Sequence, residues 1–243
     1  MYIIKLDAID STNAYLKQIA AIALPKDYTV VVTNSQTQGR GQMGTQWQAE
    51  EGKCLTVSVF KKLPHLKIEQ QFYISMVVSL AICKALMAFN IPKLSIKWPN
   101  DILSADKKIC GILIENIIKS NQLQGSVIGF GLNVNQKFFE YLPQASSMIL
   151  IKGIVFNKDE VLAEILNHMQ HYFQLLENNN LQVLYSEYET KLFRKNKPST
   201  FITPNDNTFT GIIKGVTIEG KLKVLTEDDI IKTFDLKEVT LLY

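Results

Sequence analysis

The chain is poor in the residues that metal centres, disulfide scaffolds and catalytic triads require. Its 243 residues include three histidines and three cysteines. Cys54, Cys83 and Cys110 share no C-x-x-C spacing and lie inside apolar segments, so we expect buried free thiols in a reducing cytoplasm. His168 and His171 lie three residues apart on a helical pattern, and no third ligand accompanies them. The sequence therefore argues against a zinc site, a disulfide framework and a Ser-His-Asp triad.

A strong charge imbalance and a clear membrane span are also lacking. The net charge of +3, from 26 basic and 23 acidic residues, is too small to predict nucleic-acid binding from composition. The start of the chain has no basic stretch before a long apolar run, so no signal peptide is expected. Residues 72–89 are apolar, but they include Lys84 and several polar residues, which favours a buried core helix over a membrane span. We expect a cytoplasmic protein that binds neither membranes nor nucleic acid.

Two further helices are predicted from their caps. Asp10 or Ser11 can cap a first helix that continues to about residue 23 and stops before Pro25. Asn157 and Glu160 have the spacing of a capping box and precede an amphipathic helical pattern.

Strand patterns account for most of the remaining chain. Runs rich in β-branched or alternating apolar residues predict strands at 28–33 and 54–60, and residues 94–134 hold four short pieces typical of hairpins in one sheet. Beyond residue 195 only short alternating runs and turns remain, which predicts a small β-barrel of about five strands. Mixed elements followed by strands alone indicate an α+β fold with domains at 1–194 and 195–243, rather than a doubly wound sheet.

Residues 39–47, GRGQMGTQW, place three glycines beside Arg40 and Trp47. Glycine is useful where φ must be positive or where a ligand must approach the backbone. An arginine offers a planar fork of donors suited to a carboxylate or a phosphate. The segment matches neither the Walker A pattern nor GxGxxG. By itself it is equally consistent with a ligand-binding loop and with a surface turn.

The segment KWPND, residues 97–101, combines a cation, an amide and a carboxylate. Pro99 restricts the backbone, so the polar side chains around it are held in a fixed relation. Lys97, Asn100 and Asp101 would suit a triphosphate, with a phosphate contact, a hydrogen bond and a magnesium anchor. A hairpin turn with Asn-Asp turn chemistry explains the same residues.

Two predicted strands carry glycines in their interiors. In KKICGILIEN, residues 107–116, Lys108 precedes an apolar strand that Gly111 interrupts. In GFGLNVN, residues 129–135, two glycines make room, and Asn133 and Asn135 could donate to a ligand. A strand glycine often marks close approach of a ligand, although a β-bulge at a hairpin end is the alternative for Gly111.

Taken together, these segments resemble biotin–protein ligases. DSTN, GRG with a following tryptophan, KWPND, GILIE and GFGLN occur here in the order found in that family. The resemblance covers essentially the whole chain, and KWPND followed seven residues after its aspartate by a lysine and then GILIE is specific as a set. The resemblance implies a catalytic domain with a mixed β-sheet flanked by helices, as in the biotin/lipoate ligase fold, and a small C-terminal SH3-like β-barrel.

The resemblance also implies a reaction. Such enzymes use ATP and Mg²⁺ to convert biotin to biotinyl-5'-AMP, and then transfer the biotinyl group to a lysine of a biotin carboxyl carrier domain, as in acetyl-CoA carboxylase. A carboxylate must approach an anionic phosphate in the first step, so cations are required. Lys108 and Arg40 would be catalytic, and Asp101 would anchor Mg²⁺ through the phosphates.

Further roles follow from the family's motifs. The residues expected to bind biotin are Ser11, Thr12, Asn13, Gln36, Gly39, Arg40, Lys108, Gly111 and Gly129. Those expected to bind ATP are Gln42, Trp47, Lys97, Asn100, Asp101, Lys108 and Asn133.

The chain departs from the family's frequent GRGRRGR loop. Gln42, Met43 and Thr45 stand where arginines are common, which predicts weaker phosphate binding and shorter retention of the adenylate. Only nine residues precede DSTN, so we expect a monofunctional ligase without an N-terminal DNA-binding domain. The resemblance is compatible with a homodimer.

Two other functions stay open. A lipoate or octanoate ligase or transferase would share the fold and the acyl-lysine chemistry, although KWPND and the GRG loop favour biotin. A non-catalytic ligand-binding module is the second alternative. The predicted barrel lacks the basic, aromatic-rich stripe that single-strand nucleic-acid binding uses.

Overall fold

The computed structural model describes the backbone of residues 1–243 and every side chain except that of Met43. Over these residues the chain forms five α-helices: α1 (Thr12–Ile22), α2 (Phe72–Ala88), α3 (Met148–Lys152), α4 (Lys158–Glu177) and α5 (Leu181–Lys191). It forms twelve strands: β1 (Tyr2–Ile9), β2 (Thr29–Gln36), β3 (Cys54–Lys62), β4 (Leu94–Lys97), β5 (Asp101–Ser104), β6 (Lys107–Lys119), β7 (Gln122–Asn133), β8 (Pro198–Ile202), β9 (Thr208–Val216), β10 (Leu222–Thr226), β11 (Ile231–Phe234) and β12 (Thr240–Leu242).

The strands form two sheets. The first has seven strands in the order β1-β2-β3-β7-β6-β5-β4, and the second has five in the order β11-β10-β9-β8-β12. In the first sheet β1 is parallel to β2, and the other neighbours are antiparallel. This confirms the expected α+β fold with a mixed sheet.

Helices cover both faces of the seven-stranded sheet. Neighbouring residues of a strand point to opposite faces, and Val30 and Val31 accordingly belong to different apolar clusters. Val30 lies in the large core with α2 and α4, whereas Val31 packs with Leu16 of α1 and with Phe60. The α1 face therefore has only a small apolar cluster, which leaves space for a cavity.

The helix caps explain where α1 and α4 begin. Ser11 caps α1 and accepts a hydrogen bond from the backbone N–H of Ala14. Asn157 caps α4 by accepting from the N–H of Asp159, while its side-chain amide donates to Glu160 over 3.2 Å. The predicted cap of α4 is confirmed. In a usual capping box the glutamate accepts a hydrogen bond from the backbone N–H of the cap residue, whereas here Glu160 accepts from the side-chain amide of Asn157.

The apolar segment predicted as a core helix is α2. The stretch Ile68–Ala88 is long and apolar enough to cross a membrane, but 67% of its most apolar 18 residues are buried inside the protein. Ile74, Val77 and Leu86 are fully buried in the main core. The prediction of a core helix is confirmed.

Three elements, β1, α3 and α5, were not predicted. β1 forms an edge of the first sheet. Its sequence does not alternate between apolar and polar residues, because apolar residues such as Tyr2 and Ile3 are exposed. α5 has few apolar positions and is held by Leu184 and Tyr188, both fully buried.

The last five strands form the predicted small β-sheet unit. Its two edge strands are β11 and β12. The unit contacts the rest of the protein directly, since the indole Nε1 of Trp98 donates to the carbonyl of Gly220 over 2.8 Å. The division at residue 195 remains a prediction.

Candidate active site

A cavity of about 330 Å³ lies on the α1 face of the seven-stranded sheet. Its walls come from the start of α1, the glycine loop 39–47, the KWPND loop 97–101 and the segment 236–241 before and within β12. Segments far apart in the chain therefore meet at one place. The volume lies within the usual range for small-molecule sites.

The floor of the cavity consists of small residues in two adjacent rungs of the sheet. Thr56 of β3 is opposite Gly131 of β7, which is opposite Gly111 of β6. In the next rung on the same face, Gly129 lines the cavity, and its partner in β3, Ser58, is fully buried and does not line it. Because residues two apart along a strand share a face, the small side chains remove bulk from one continuous patch about 7 Å long. The strand glycines make room on this face for the side chains of Asn13 and Trp47.

A chain of polar side chains crosses one end of the floor. The hydroxyl oxygen of Ser58 lies 2.7 Å from Oγ1 of Thr12 and 2.6 Å from Oδ1 of Asn13. Asn13 donates to a carboxylate oxygen of Glu115 over 2.9 Å. Gln36 Oε1 accepts from the backbone N–H of Thr12 over 2.8 Å. Ser58, Thr12 and Asn13 are buried and uncharged, so they form a neutral polar patch whose hydrogen bonds lie in a low-dielectric environment.

The glycine loop closes on itself as a small hairpin. The N–H of Gly41 donates to the carbonyl of Thr45 over 2.7 Å, and that of Trp47 donates to Gly39 over 3.0 Å. A side chain at Gly39 would place its Cβ 2.4 Å from the carbonyl oxygen of Trp47. Gly39 is therefore required by the loop's own backbone contact. Arg40 is exposed at the cavity wall.

The indole ring of Trp47 lies in the cavity against the strand glycines. A Cβ at Gly131 would lie 2.3 Å from Cε2 of the ring, and one at Gly111 would lie 3.0 Å from Cζ3. The indole Nε1 is buried and has no hydrogen-bond partner among the described residues. The ammonium of Lys108 lies 5.5 Å from the centroid of the same ring.

Two lysines and a carboxylate form a charged cluster at this end of the cavity. Nζ of Lys108 lies 2.7 Å from Oδ1 of Asp101, and Nζ of Lys97 lies 3.9 Å from Oδ2. The ammonium of Lys97 also lies 5.2 Å from the centroid of the Tyr243 ring. Burial, with a further contribution from Lys108, lowers the pKa of Lys97 against the opposing pull of Asp101. The cluster is a partly buried positive site.

Most of the predicted site residues meet at this cavity. Those lining it are Ser11, Thr12, Asn13, Gln36, Arg40, Gln42, Trp47, Lys97, Asn100, Asp101, Lys108, Gly111 and Gly129. Asn100 also supports its own loop, because its side-chain amide donates to the carbonyl of Ile112 over 2.7 Å.

Two predicted residues, Gly39 and Asn133, are not in the cavity wall. Gly39 is buried in the loop hairpin described above. Asn133 is 3% exposed, and its amide donates to the carbonyl of Ser146 over 2.9 Å. Its position holds the segment after β7 in place, and a direct contact with a nucleotide stays a prediction.

Protein side chains fill the space beside the strand glycines, and close approach of a ligand there stays a prediction. A Cβ at Gly129 would lie 2.3 Å from Oδ1 of Asn13. Trp47 fills the corresponding space at Gly131.

Sequence reasoning missed Ser58, Glu115 and Tyr243. Ser58 stands inside an apolar alternating strand, and a buried hydroxyl among valines was the available signal. Glu115 closes the GILIE motif but was given no role. Tyr243 reaches Lys97 across a long separation in sequence, for which no local pattern exists.

The three cysteines are buried and unpaired with one another. Burial raises the pKa of the Cys54 thiol to about 11 and that of Cys83 to about 12. Within the described residues, no group of three or more histidine, cysteine or acidic side chains could hold a metal ion. The cavity thus offers hydrogen bonds and cations, but no reactive thiolate.

The chain matches known proteins over its whole length. Residues 6–133 match the model of the biotin/lipoate A/B protein ligase family. The bifunctional ligase/repressor BirA of Escherichia coli is 29% identical over 241 residues, covering 97% of this chain and 73% of the relative. The biotin–[acetyl-CoA-carboxylase] ligase of Mycobacterium tuberculosis is 26% identical over 215 residues, covering 87% of this chain and 79% of the relative.

A solved structure also superposes on this fold. The biotin protein ligase of Aquifex aeolicus, in complex with biotin and ATP, has a TM-score of 0.81 and 27% identity, and the match covers 99% of this chain and 98% of that one. The family model alone spans more than half of the 243 residues. The chain is a member of the biotin/lipoate A/B protein ligase family.

Proposed function

We propose that this protein is an ATP-dependent biotin–protein ligase. It forms biotinyl-5'-AMP from biotin and ATP and then transfers the biotinyl group to a lysine of a biotin carboxyl carrier domain. The observation that carries the proposal is the cavity, which has a neutral polar patch at one end and two lysines at the other. The relative from Mycobacterium tuberculosis is a biotin–[acetyl-CoA-carboxylase] ligase, and the Aquifex aeolicus structure holds biotin and ATP, in accord with this arrangement.

Biotin complements both ends of the cavity. Its bicyclic head is neutral and carries a ureido group, which suits the hydroxyl and amide groups around Thr12. Its carboxylate lies at the end of an apolar chain and suits Lys108 and Arg40. The glycine floor admits the flat, largely apolar head between these polar ends.

In the first step, a carboxylate oxygen of biotin attacks the α-phosphorus of ATP. The new C–O–P linkage forms as the bond to pyrophosphate breaks, and no proton is transferred. Both reactants are anionic, so their approach requires cations that stabilise the charge of the transition state. Lys108 and Lys97 are placed to do this.

Asp101 holds these cations before the substrates bind. The 2.7 Å ion pair with Lys108 keeps that ammonium beside the cavity. When phosphate oxygens enter, they offer Lys108 a competing anionic partner in a partly buried site. The ion pair therefore positions Lys108 in the empty protein and releases it to the substrate.

The magnesium ion would enter with the nucleotide. Asp101 is the one predicted protein ligand, and its carboxylate faces two lysines instead of a set of oxygen donors. The metal would belong to the Mg–ATP substrate, and Asp101 would contact it once Lys108 turns to phosphate.

In the second step, the ε-amine of the carrier lysine attacks the acyl carbon. The neutral amine forms the amide bond, the acyl–phosphate bond breaks, AMP leaves, and the nitrogen gives up one proton to solvent while it keeps the other. The acceptor lysine must reach the cavity past the exposed glycine loop. A folded carrier domain should therefore be modified much faster than free lysine.

Lipoate is the main alternative within the same family. A dithiolane ring or a plain octanoyl chain has no hydrogen-bonding head to match Thr12 and Gln36, so burying it against this patch gains no new hydrogen bonds. This observation favours biotin.

Exchange of labelled pyrophosphate into ATP tests the proposal. We expect exchange that depends on biotin, with little exchange when lipoate or octanoate replaces it. A second assay follows label from biotin into a folded carrier domain, with free lysine at equal concentration as the control. Exchange driven best by lipoate or octanoate would contradict the assignment of biotin, and no exchange with any of the three acids would contradict an adenylating enzyme.

A further inference from the structure

The polar patch at the floor of the cavity is anchored by groups that lie outside it. Neither Ser58 nor Glu115 lines the cavity, yet both bond to residues that do. Ser58 is fully buried, and Glu115 also pairs with Lys17 at 2.6 Å. The protons available to these groups decide which atoms face the ligand as donors and which as acceptors.

The orientation of the Asn13 amide is determined by its partners. Its Nδ2 lies 2.9 Å from a carboxylate oxygen of Glu115 and 3.3 Å from the carbonyl of Leu113, and both of these oxygens can only accept. The amide nitrogen must therefore face them. Oδ1 then faces Ser58, where it can only accept.

The Ser58 hydroxyl has one proton and two close oxygen neighbours. Because Asn13 Oδ1 has no proton, Ser58 must donate to it across 2.6 Å. The 2.7 Å contact between Ser58 and Thr12 then needs a proton from Thr12. Two facing lone pairs in a buried site would otherwise be strongly unfavourable.

The Thr12 hydroxyl is thereby left without a free proton. Its other neighbour, Gln36 Oε1 at 3.1 Å, already accepts from the Thr12 backbone N–H. If the Thr12 proton went to Gln36, the shorter contact with Ser58 would have none. Towards the cavity, the Thr12 oxygen can act only as an acceptor.

We propose that Glu115, Asn13 and Ser58 form a proton-ordered relay that presents Thr12 as an obligate hydrogen-bond acceptor to an N–H group of the substrate head. The inference rests on the proposed function and deepens it. Ser58 and Glu115 are positioning residues for the recognition of a cyclic urea. The lysines at the other end of the cavity attract the substrate's carboxylate and have no charge to attract in its neutral head. The substrate should therefore bind with its head at Thr12 and its carboxylate at the lysines.

The first test compares two buried serines. Ser58→Ala should weaken biotin binding by about 10- to 100-fold, because Thr12 loses the partner that orders its proton, whereas the affinity for ATP should change by less than about threefold. Ser126→Ala is the matched control. Ser126 is also fully buried on this sheet, and its hydroxyl donates to Asn116 over 2.7 Å away from the cavity.

The second test reads the direction of the relay. Two cyclic carbamate analogues of biotin each replace one ureido N–H by oxygen, so one of them presents a lone pair to Thr12. The wild type should bind that analogue at least about 10-fold more weakly than biotin. In Ser58→Ala the Thr12 hydroxyl is free to donate, so the ratio of the analogue's Kd to that of biotin should shrink several-fold. A general loss of stability would not change this ratio.

The third test exchanges donor and acceptor along the relay. Asn13→Asp places two carboxylates side by side and should weaken biotin binding. Adding Glu115→Gln restores one donor and one acceptor at this contact, and the glutamine oxygen can still accept from Lys17. The double variant should therefore bind biotin more tightly than Asn13→Asp.

No biotin binding by the wild type would refute the proposed function. Normal biotin binding with equal losses in Ser58→Ala and Ser126→Ala, or an unchanged analogue ratio, would refute the relay alone.

Discussion

The indole ring of Trp47 lies on Gly131, in the space that the strand glycines leave open. A methyl group at Gly131 would lie 2.3 Å from Cε2 of the ring, so no larger residue is compatible with this contact. The buried indole N–H has no partner there. The Trp47 ring therefore packs on the strand glycines without gaining a hydrogen bond, so we expect that a ligand can displace it.

Biotin should displace Trp47 and order the loop around the ligand. We expect amide exchange across residues 39–52 to slow on adding biotin and to slow further with ATP, because the free loop opens at little cost. Gly131→Ala should expel the ring from the empty cavity and speed exchange in the same segment. The strands β8, β9 and β10 serve as the internal control, and equal exchange in the wild type with and without biotin would contradict the expectation.

Lys108→Ala should lower adenylate formation by about 100-fold or more, which is typical of losing one key electrostatic contact in a transition state. The rate of biotin-dependent pyrophosphate exchange measures it. Lys107→Ala is the control, since Lys107 is adjacent but donates to the carbonyl of Pro143 over 2.9 Å. Near-normal exchange in a folded Lys108→Ala protein would show that the reaction does not need this cation.

The ordered set of motifs was sufficient to predict which segments form the site, but not what its side chains contact. Lys97, Asp101 and Lys108 stand out as charged residues beside Pro99 and a strand glycine, and their assignment to one site came from the resemblance to biotin–protein ligases. The glycines at 129 and 131 signalled close approach, yet sequence cannot tell a ligand from Asn13 or Trp47. Ser58 acts through partners on other elements, and Tyr243 meets Lys97 only when the two sheets pack together. Contacts of that kind depend on tertiary packing, which no local period encodes.

The pH dependence of ATP use should reveal Lys97. Burial lowers its pKa from the ordinary value of 10.5. As pH rises, the ammonium therefore loses its proton earlier than an ordinary lysine, and kcat/KM for ATP should fall along an alkaline limb below pH 10.5. Lys97→Arg keeps its charge, since the guanidinium pKa exceeds about 12, and should move that limb to higher pH. An alkaline limb that is the same in both proteins would assign it to another group.

The C-terminal unit should contribute to nucleotide binding through Tyr243. Its ring faces the Lys97 ammonium at 5.2 Å and packs edge-on against Phe193 with centroids 5.1 Å apart, so it holds Lys97 beside the cavity. A cation–π contact contributes about 0.5–2 kcal/mol, which predicts a roughly 2- to 30-fold rise in KM for ATP in Tyr243→Ala. KM for biotin should stay nearly constant, because the polar patch at Thr12 is separate. Tyr243→Phe keeps the ring face and should behave much like the wild type. If both KM values rose together, or if phenylalanine failed where tyrosine works, the ring would be supporting the fold or acting through its hydroxyl instead of positioning Lys97.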